Sequence, residues 1–294
     1  MKIGFIGLGV MGRPMANNLV NNGYEVIAYD VVPEFVAEAA KFGAKAAASI
    51  KEAVCDSEIV ITMLPNGSHV KSVALGEGGL AENAKQGTLL IDMSSISTTD
   101  SIEINEDLKS KGFRMIDAPV SGAFTGALEG KLAIMVGGEE ADVKDAMPVL
   151  SCMGSKIVHI GPAGSGCTCK LANNIIIANN LAAVCEAMMF AKKAGCDLSK
   201  VFEVVSAGFA GSTAMNSQVP RMLAQNYEPG FTIKLHHKDL TNALAAGENV
   251  GSPMPLAQHM KDVMDEMIED GLGLKDNSGI ALYYEKLAND KYVD

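Results

Sequence analysis

The sequence predicts an α/β domain with a doubly wound parallel sheet, followed by an all-helical domain. Apolar runs of strand length alternate with helical patterns up to residue 160, which is typical of a doubly wound sheet. Beyond that point helical patterns follow one another without a strand. A long helix joins the two parts, and between Gly164 and Ala191 its ionisable side chains other than cysteine are Lys170 and Glu186.

The composition bounds the classes of function. A chain of 294 residues with 48% hydrophobic residues is long and apolar enough for two cores, and we predict domains at residues 1–162 and 163–294. The net charge of -11 argues against nucleic acid or an anionic membrane surface as a partner. No apolar run reaches the roughly 18 residues of a membrane span. Six cysteines without a C-x-x-C pair indicate reduced thiols and a cytoplasmic protein.

A glycine-rich turn follows the first apolar run, residues 2–8. It has the pattern G-x-G-x-x-G between a strand and a helix, formed by Gly7, Leu8, Gly9, Val10, Met11 and Gly12. The first glycine permits the turn, the second lets the backbone approach a pyrophosphate, and the third packs helix on strand. The phosphate then rests on the helix N-terminus. The sequence therefore predicts a dinucleotide-binding Rossmann domain.

The second strand, residues 25–29, ends in Asp30. An acid at this place accepts hydrogen bonds from the adenosine ribose and repels a 2′-phosphate. Val31 and Val32 follow it, so no arginine stands there to receive NADP. We predict NAD as the cofactor, with NADP possible.

Further elements continue the alternation. We predict strands at residues 58–64, 88–93, 114–116, 131–136 and 156–160, and helices at 33–42, 99–109 and 140–150. Ligands of such sheets gather at the carboxyl ends of the strands, so the corners at Leu64-Pro65 and Ser94-Ser95 are expected beside the cofactor. An ordinary turn with serine as the helix N-cap remains the alternative for each corner.

The stretch at residues 117–138 is rich in small and hydroxylic residues and is predicted to be a loop that a strand leaves. Ser121, Gly122 and Ala123 lack bulk, so their backbone N–H groups are able to approach a carboxylate closely. Taken alone, the stretch has no assignable role.

Lys170 is the main catalytic candidate. The helix around it is predicted to be buried for most of its length, and a buried ammonium needs compensation. Asn174 lies four residues later and projects from the same face. The alternative is a lysine whose head reaches solvent past the helix end.

The second domain is predicted to contain helices at residues 164–194, 197–207, 212–224, 237–249, 255–270 and 276–289. The methionines of residues 260–267 are read as core or subunit interface. His236 and His237 point apart as sequence neighbours, and no metal site is predicted. A helix start near Lys238-Asp239 would place an ammonium over the cofactor cleft; the alternative is a surface ion pair.

Four stretches together resemble the β-hydroxyacid dehydrogenase family along nearly the whole chain. They are IGLGVMGRPMANNL at residues 6–19, DAPVSGAFTGALEGKL at 117–132, GSGCTCKLANN at 164–174 and HKDLTNAL at 237–244. The resemblance implies that Lys170 is the catalytic acid and base, that Ser121, Gly122 and Asn174 hold substrate, and that Lys238 lies at the cofactor and substrate. It also implies that Met63, Leu64, Pro65 and Ser95 contact the cofactor. The family usually has a second glycine where this chain has Ala123, which implies a reshaped carboxylate pocket.

Within the family, residues 61–79, 230–244 and 270–287 most resemble the branch that reduces tartronate semialdehyde, although Asn277 replaces a histidine common in that branch. The expected reaction is hydride transfer between NAD and a small 3-hydroxy or 3-oxo acid. Dehydrogenation of 3-hydroxyisobutyrate or 2-(hydroxymethyl)glutarate is the alternative, and a non-catalytic dinucleotide-binding sensor is the alternative of another class. The apolar linking helix and the methionines imply a homo-oligomer.

Overall fold

The computed structural model describes residues 1–293 and divides them into two compact units. The first unit is Met1–Lys170 and the second begins at Leu171, within one continuous helix. The boundary predicted after Pro162 lies just before this helix. Each unit has its own hydrophobic core.

The first unit contains one nine-stranded sheet. Its strands are β1 Lys2–Ile6, β2 Glu25–Tyr29, β3 Lys45–Ala46, β4 Ile59–Thr62, β5 Leu89–Asp92, β6 Arg114–Asp117, β7 Val120–Ser121, β8 Leu132–Gly137 and β9 Gly154–Gly161. Its helices are α1 Gly12–Asn21, α2 Pro33–Lys41, α3 Ile50–Val54, α4 Gly67–Leu75, α5 Leu80–Asn83, α6 Thr98–Ser110, α7 Ala123–Leu128 and α8 Glu140–Leu150. The helix that crosses the division is α9 Ser165–Lys193.

The strand order is β3-β2-β1-β4-β5-β6-β8-β7, with β9 on the other edge of β8. Strands β1 to β6 are all parallel, which confirms the predicted doubly wound Rossmann class. The order reverses between β1 and β4, and this switch point is where such sheets bind dinucleotides. Strand β8 pairs antiparallel with β6 and β7, so the far edge departs from the expected parallel sheet.

Side-chain alternation along the strands fills a core on each face of the sheet. In β1, Ile3 and Phe5 pack into one core and Ile6 into the other, and all three are buried. Two covered faces explain why these strands read as continuous apolar runs rather than alternating ones.

The second unit is helical. After α9 it contains α10 Leu198–Ala207, α11 Thr213–Leu223, α12 Ile233–Asn249, α13 Pro255–Glu269, a 3₁₀ turn at Asn277–Gly279 and α14 Ile280–Ala288. Met260, Met264 and Met267 are buried in its core, so the core interpretation of these methionines is confirmed.

Two expectations about elements are wrong. The stretch at 117–138 is not a plain loop, because it contains β7 and α7. Helix α12 starts at Ile233, where the Thr232 side chain accepts a hydrogen bond from the Leu235 N–H, and not at His237. Lys238 therefore lies in the second turn of this helix and not at its N-terminus.

Helix α9 also differs from expectation. Contrary to the prediction, it is long and apolar enough to cross a membrane by length and composition, and 44% of its most apolar 18-residue window is buried inside the structure. A core helix of a soluble protein passes the same test. The helix is less buried than predicted because only one face packs against the chain, while Ile176 and Phe190 on the other face are exposed.

Candidate active site

The glycine-rich turn between β1 and α1 has the geometry that each glycine requires. Gly7 has φ +98° and donates its N–H to the Tyr29 carbonyl at 3.0 Å. A Cβ at Gly7 would collide with the Met63 carbonyl, and one at Gly12 would collide with the Gly7 carbonyl. A Cβ at Gly9 would meet no protein atom within 4 Å. Gly7 and Gly12 thus make the close backbone approaches, and Gly9 leaves open space for a ligand.

Asp30 holds the same turn from the end of β2. One carboxylate oxygen accepts the Leu8 N–H at 2.6 Å and the other accepts the Val32 N–H at 2.9 Å. A carboxylate has about four acceptor sites, so capacity remains for a ribose hydroxyl. Asp30 therefore shapes the turn in addition to its predicted role.

A hydrogen-bond network organises the corners after β4 and β5. The Ser94 hydroxyl accepts the Leu64 N–H at 2.8 Å and donates to the Asp92 carboxylate at 2.5 Å, while Thr62 donates to the same carboxylate at 2.8 Å. The N-cap of α4 is Asn66, so no serine caps the helix at the first corner, whereas α6 is capped by Ser97, and neither Ser94 nor Ser95 is the cap. Ser94 instead fixes the backbone at Leu64.

The side chains that these corners present are accessible to a ligand. Met63, Leu64 and Ser95 are half-buried and Pro65 is exposed. Beside them in the glycine turn, Val10 is 60% exposed, Met11 is half-buried and Leu8 is buried.

Two buried carboxylates lie side by side at the carboxyl ends of β5 and β6. Asp92 and Asp117 are in register, and both are at most 1% exposed. Burial raises the pKa of Asp92 to about 6, although hydrogen bonds from Ser94 and Thr62 lower it, and the nearby charge of Asp117 adds a smaller increase. Burial likewise raises the pKa of Asp117. The charges of both carboxylates add to burial in raising the pKa of the Cys167 thiol well above its usual range.

Asp117 also holds the beginning of α9. Its carboxylate oxygens accept the Gly164 N–H and the Cys167 N–H, each at 2.8 Å. Lys170 lies three residues after Cys167 in the same helix, and its side chain is half-buried rather than enclosed. Neither Asp92 nor Asp117 was singled out from the sequence, although a charged residue ending an apolar strand was a usable signal.

The loop around β7 carries Ser121, Gly122 and Ala123. Ser121 is half-buried, and Gly122 and Ala123 are exposed. The backbone has φ +138° at Gly122 and +53° at Ala123, so Ala123 occupies the left-handed region that favours glycine. This explains why a second glycine suits the position.

In the second unit, Asn174 and Lys238 meet at one acid. Buried Asn174 donates its side-chain N–H to Asp239 at 2.6 Å, and the Lys238 ammonium lies 3.2 Å from the other oxygen of Asp239. The ring of buried His236 contacts the Asn174 carbonyl at 3.0 Å. Asp239 is 1% exposed, so the alternative of a surface ion pair is wrong. Asp239 thus orients two predicted substrate-binding side chains.

The two histidines point to different partners, as predicted. His237 contacts Asp265 at 2.7 Å, away from the site that His236 faces. Among residues 1–293, no three His, Cys, Asp or Glu side chains are grouped to hold a metal ion, and all six cysteines are free.

The residues of the first unit fit a dinucleotide. The glycine turn, Asp30 and the corners at Leu64 and Ser95 follow β1, β2, β4 and β5 at the switch point of the sheet. The open space at Gly9, which a Cβ would fill, fits the predicted close approach of the backbone to a pyrophosphate. This combination defines a dinucleotide-binding protein of the Rossmann class.

Comparisons with known proteins identify the family. Residues 2–161 match the NAD-binding domain of 6-phosphogluconate dehydrogenase, and residues 164–284 match the NAD-binding domain of NADP-dependent 3-hydroxyisobutyrate dehydrogenase. The chain belongs to the β-hydroxyacid dehydrogenase family and is an NAD(P)-dependent enzyme that acts on a CH–OH group.

Individual relatives cover nearly the whole chain. It is 36% identical to 2-hydroxy-3-oxopropionate reductase of Escherichia coli, over 99% of each chain. It is also 36% identical to 2-(hydroxymethyl)glutarate dehydrogenase of Eubacterium barkeri, over 98% of this chain and 96% of that one. The structure of 3-hydroxyisobutyrate dehydrogenase from Mycobacterium tuberculosis with L-serine superposes with a TM-score of 0.88 at 35% identity, over 96% of this chain and 98% of that one.

Proposed function

We propose that this enzyme is a tartronate semialdehyde reductase that forms D-glycerate with NADH. The observation that carries the chemistry is the placement of Lys170 in α9, whose first turn is fixed to the sheet edge that bears the dinucleotide-binding corners. The choice of substrate rests on two observations. Residues 61–79, 230–244 and 270–287 resemble the branch that reduces tartronate semialdehyde, and one relative is named 2-hydroxy-3-oxopropionate reductase.

Lys170 is the acid and base. As an ammonium it donates a proton to the substrate carbonyl oxygen during reduction, and as an amine it removes a proton during oxidation. Its positive charge stabilises the negative charge that develops on that oxygen. The bound cofactor supplies or accepts the hydride. Because Lys170 is half-buried, it reaches a small substrate without first leaving an apolar core.

Asn174 and Lys238 orient the substrate. The Asn174 amide donates a hydrogen bond to Asp239. Its amide oxygen accepts a hydrogen bond from the Asn173 side chain and is able to accept a second one from a substrate hydroxyl. Lys238 adds a cation for the substrate carboxylate or the cofactor. Its pairing with buried Asp239 restricts its position.

The loop at Ser121, Gly122 and Ala123 anchors the substrate carboxylate. The Ser121 hydroxyl and the backbone N–H groups that follow it supply donors without bulky side chains. All three residues are at least partly exposed, so the donors are accessible. The methyl group of Ala123 narrows this pocket relative to a glycine and favours a small substrate.

Asp30 favours NAD over NADP. Its carboxylate is fixed by two backbone N–H groups, so it cannot swing away from a 2′-phosphate without releasing the glycine turn. Val31 beside it is 83% exposed and offers no cation in exchange.

A second candidate substrate is 2-(hydroxymethyl)glutarate. The relative of that name is as similar to this chain as the reductase is, and Asn277 departs from the histidine of the reductase branch. Oxidation of 3-hydroxyisobutyrate is a third candidate, from the similarity to the Mycobacterium tuberculosis structure.

A substrate panel tests these proposals. Oxidation of D-glycerate, 3-hydroxyisobutyrate and 2-(hydroxymethyl)glutarate is followed at 340 nm with NAD and with NADP, together with reduction of tartronate semialdehyde. We expect the highest kcat/KM for D-glycerate among the alcohols, and NAD preferred. A higher kcat/KM for another alcohol would make that alcohol the substrate, and no reaction with any of them would place the substrate outside this panel.

We also propose a cytoplasmic homo-oligomer. In the second unit, Ile176 and Phe190 on α9 and Val204 on α10 are more than 60% exposed, which favours their burial against a second copy. Light scattering on the purified protein tests this, and a monomer at micromolar concentration contradicts it.

A further inference from the structure

The first turn of α9 is held by a side chain from outside the helix. The first N–H groups of a helix have no partner within it. Here the Asp117 carboxylate accepts two of them, from Gly164 and Cys167, at 2.8 Å each. The negative charge also lies at the positive end of the helix dipole.

The surroundings hold this carboxylate in place. A Cβ at Gly137 would lie 2.5 Å from one Asp117 oxygen, and a Cβ at Gly166 would lie 2.8 Å from the other. Glycine at both positions therefore lets β8 and α9 approach the carboxylate closely. Asp117 is 1% exposed, so water does not compete for its two hydrogen bonds.

The same sheet edge fixes the dinucleotide-binding corner. Asp92 is the neighbour of Asp117 in register, and through Ser94 it holds the Leu64 backbone. Lys170 follows Cys167 by three residues in one continuous helix, which is about 4.5 Å along the axis. A rotation or shift of the first turn is thus passed directly to the Lys170 backbone.

From this arrangement we infer that Asp117 is a positioning residue for Lys170, an inference that rests on the proposed acid–base role of that lysine. By fixing the first turn of α9 to β6, Asp117 sets the position of the lysine relative to the corner that receives the cofactor. A misplacement of about 1 Å in a catalytic group costs up to about a hundredfold in rate.

The decisive variant is Asp117→Asn, which keeps one acceptor and replaces the other with an N–H group facing an N–H. We expect kcat to fall roughly tenfold or more, while the Kd of NADH by fluorescence titration changes less than about twofold. The isotope effect of 4-deuterated NADH on kcat rises, because the chemical step becomes limiting. Asp145→Asn, an exposed acid paired with Arg114, is the control and retains wild-type kinetics. A folded Asp117→Asn enzyme with unchanged kcat and isotope effect overturns the inference.

A milder variant decides the matter if Asp117→Asn does not fold. Gly164 has φ +85°, so Gly164→Ala strains the backbone of the residue whose N–H donates to Asp117. The new Cβ also presses on the flexible Ile102 side chain. We expect lower kcat at unchanged NADH affinity, and an unchanged kcat overturns the inference.

Wild-type protein supplies an independent measurement. We expect the amides of Gly164 and Cys167 to exchange with deuterium as slowly as those of β6. Amides at the start of a helix that have no hydrogen-bond partner exchange fast. Fast exchange at both positions would overturn the inference that Asp117 holds the first turn of α9. A failure of the proposed function is distinct, because it appears as wild-type enzyme that is inactive on the whole substrate panel.

Discussion

Replacing Asp92 with asparagine should change how the stability of the enzyme depends on pH. Asp92 is fully buried at the end of β5, and one of its oxygens has no hydrogen-bond partner. The groups facing it are Thr62 from β4, Ser94, Asp117 from β6 and Cys167 from α9, and no cation is among these. An ionised Asp92 is therefore costly in the folded state.

The size of the effect follows from the pKa. Folding raises the pKa of Asp92 from 3.8 to about 6, so the folded state binds the proton more tightly than the unfolded state. The resulting stabilisation is complete below pH 3.8 and is lost as the pH rises through 6. The whole change is on the order of 3 kcal/mol, and about 1.4 kcal/mol of it falls between pH 5 and pH 8.

The assay is urea unfolding followed by far-UV circular dichroism at pH 5 and pH 8. We expect the free energy of unfolding of the wild type to drop by about 1.4 kcal/mol more over this interval than that of Asp92→Asn. At pH 8 the variant is the more stable protein, because it buries no charge and its amide is able to donate to Asp117. Asp145→Asn, an exposed control, keeps the wild-type slope. Equal slopes for wild type and Asp92→Asn would refute the reasoning.

Three further substitutions test the site. Gly9→Ala places a methyl group where no protein atom lies within 4 Å, so the melting temperature should hold while NADH affinity falls by about tenfold or more; unchanged affinity in a binding titration would remove Gly9 from the cofactor site. Asp30→Ala should raise kcat/KM with NADPH relative to kcat/KM with NADH. If this ratio is unaltered, Asp30 does not determine the choice of cofactor. Ala123→Gly relieves a φ of +53° and should stabilise the protein by up to about 1 kcal/mol, whereas destabilisation in chemical unfolding would count against strain at this residue.

The sequence was sufficient for the fold because its local signals agree with one another. The helix at 140–150 was predicted with the observed bounds, since polar residues flank a clear periodic pattern. The prediction for the stretch at 117–138 failed because small residues carry little periodicity. Strand β7 is held by its pairing with β8, and α7 by its packing on α1, where the Asn18 amide donates to the Ala127 carbonyl. The antiparallel direction of β8 was equally invisible, because pairing direction leaves no mark on a buried apolar strand.

The candidate site was only partly predictable, for a similar reason. Glycine spacing, Asp30 and Lys170 are local signals. Asp92 and Asp117 act through partners that are distant in sequence. A surface ion pair stayed open as the alternative for Lys238-Asp239, because the burial of Asp239 arises from packing of α12. Such contacts exist only once the chain has folded.

The most direct test of the proposed chemistry is single-turnover reduction by Lys170→Ala. The matched control is Lys193→Ala, an exposed lysine at the end of the same helix that pairs with Asp290. We expect the hydride-transfer rate of Lys170→Ala to fall by roughly 10² to 10⁴ while NADH still binds, with the control unchanged. A rate within tenfold of wild type would contradict the assignment of Lys170 as the acid and base.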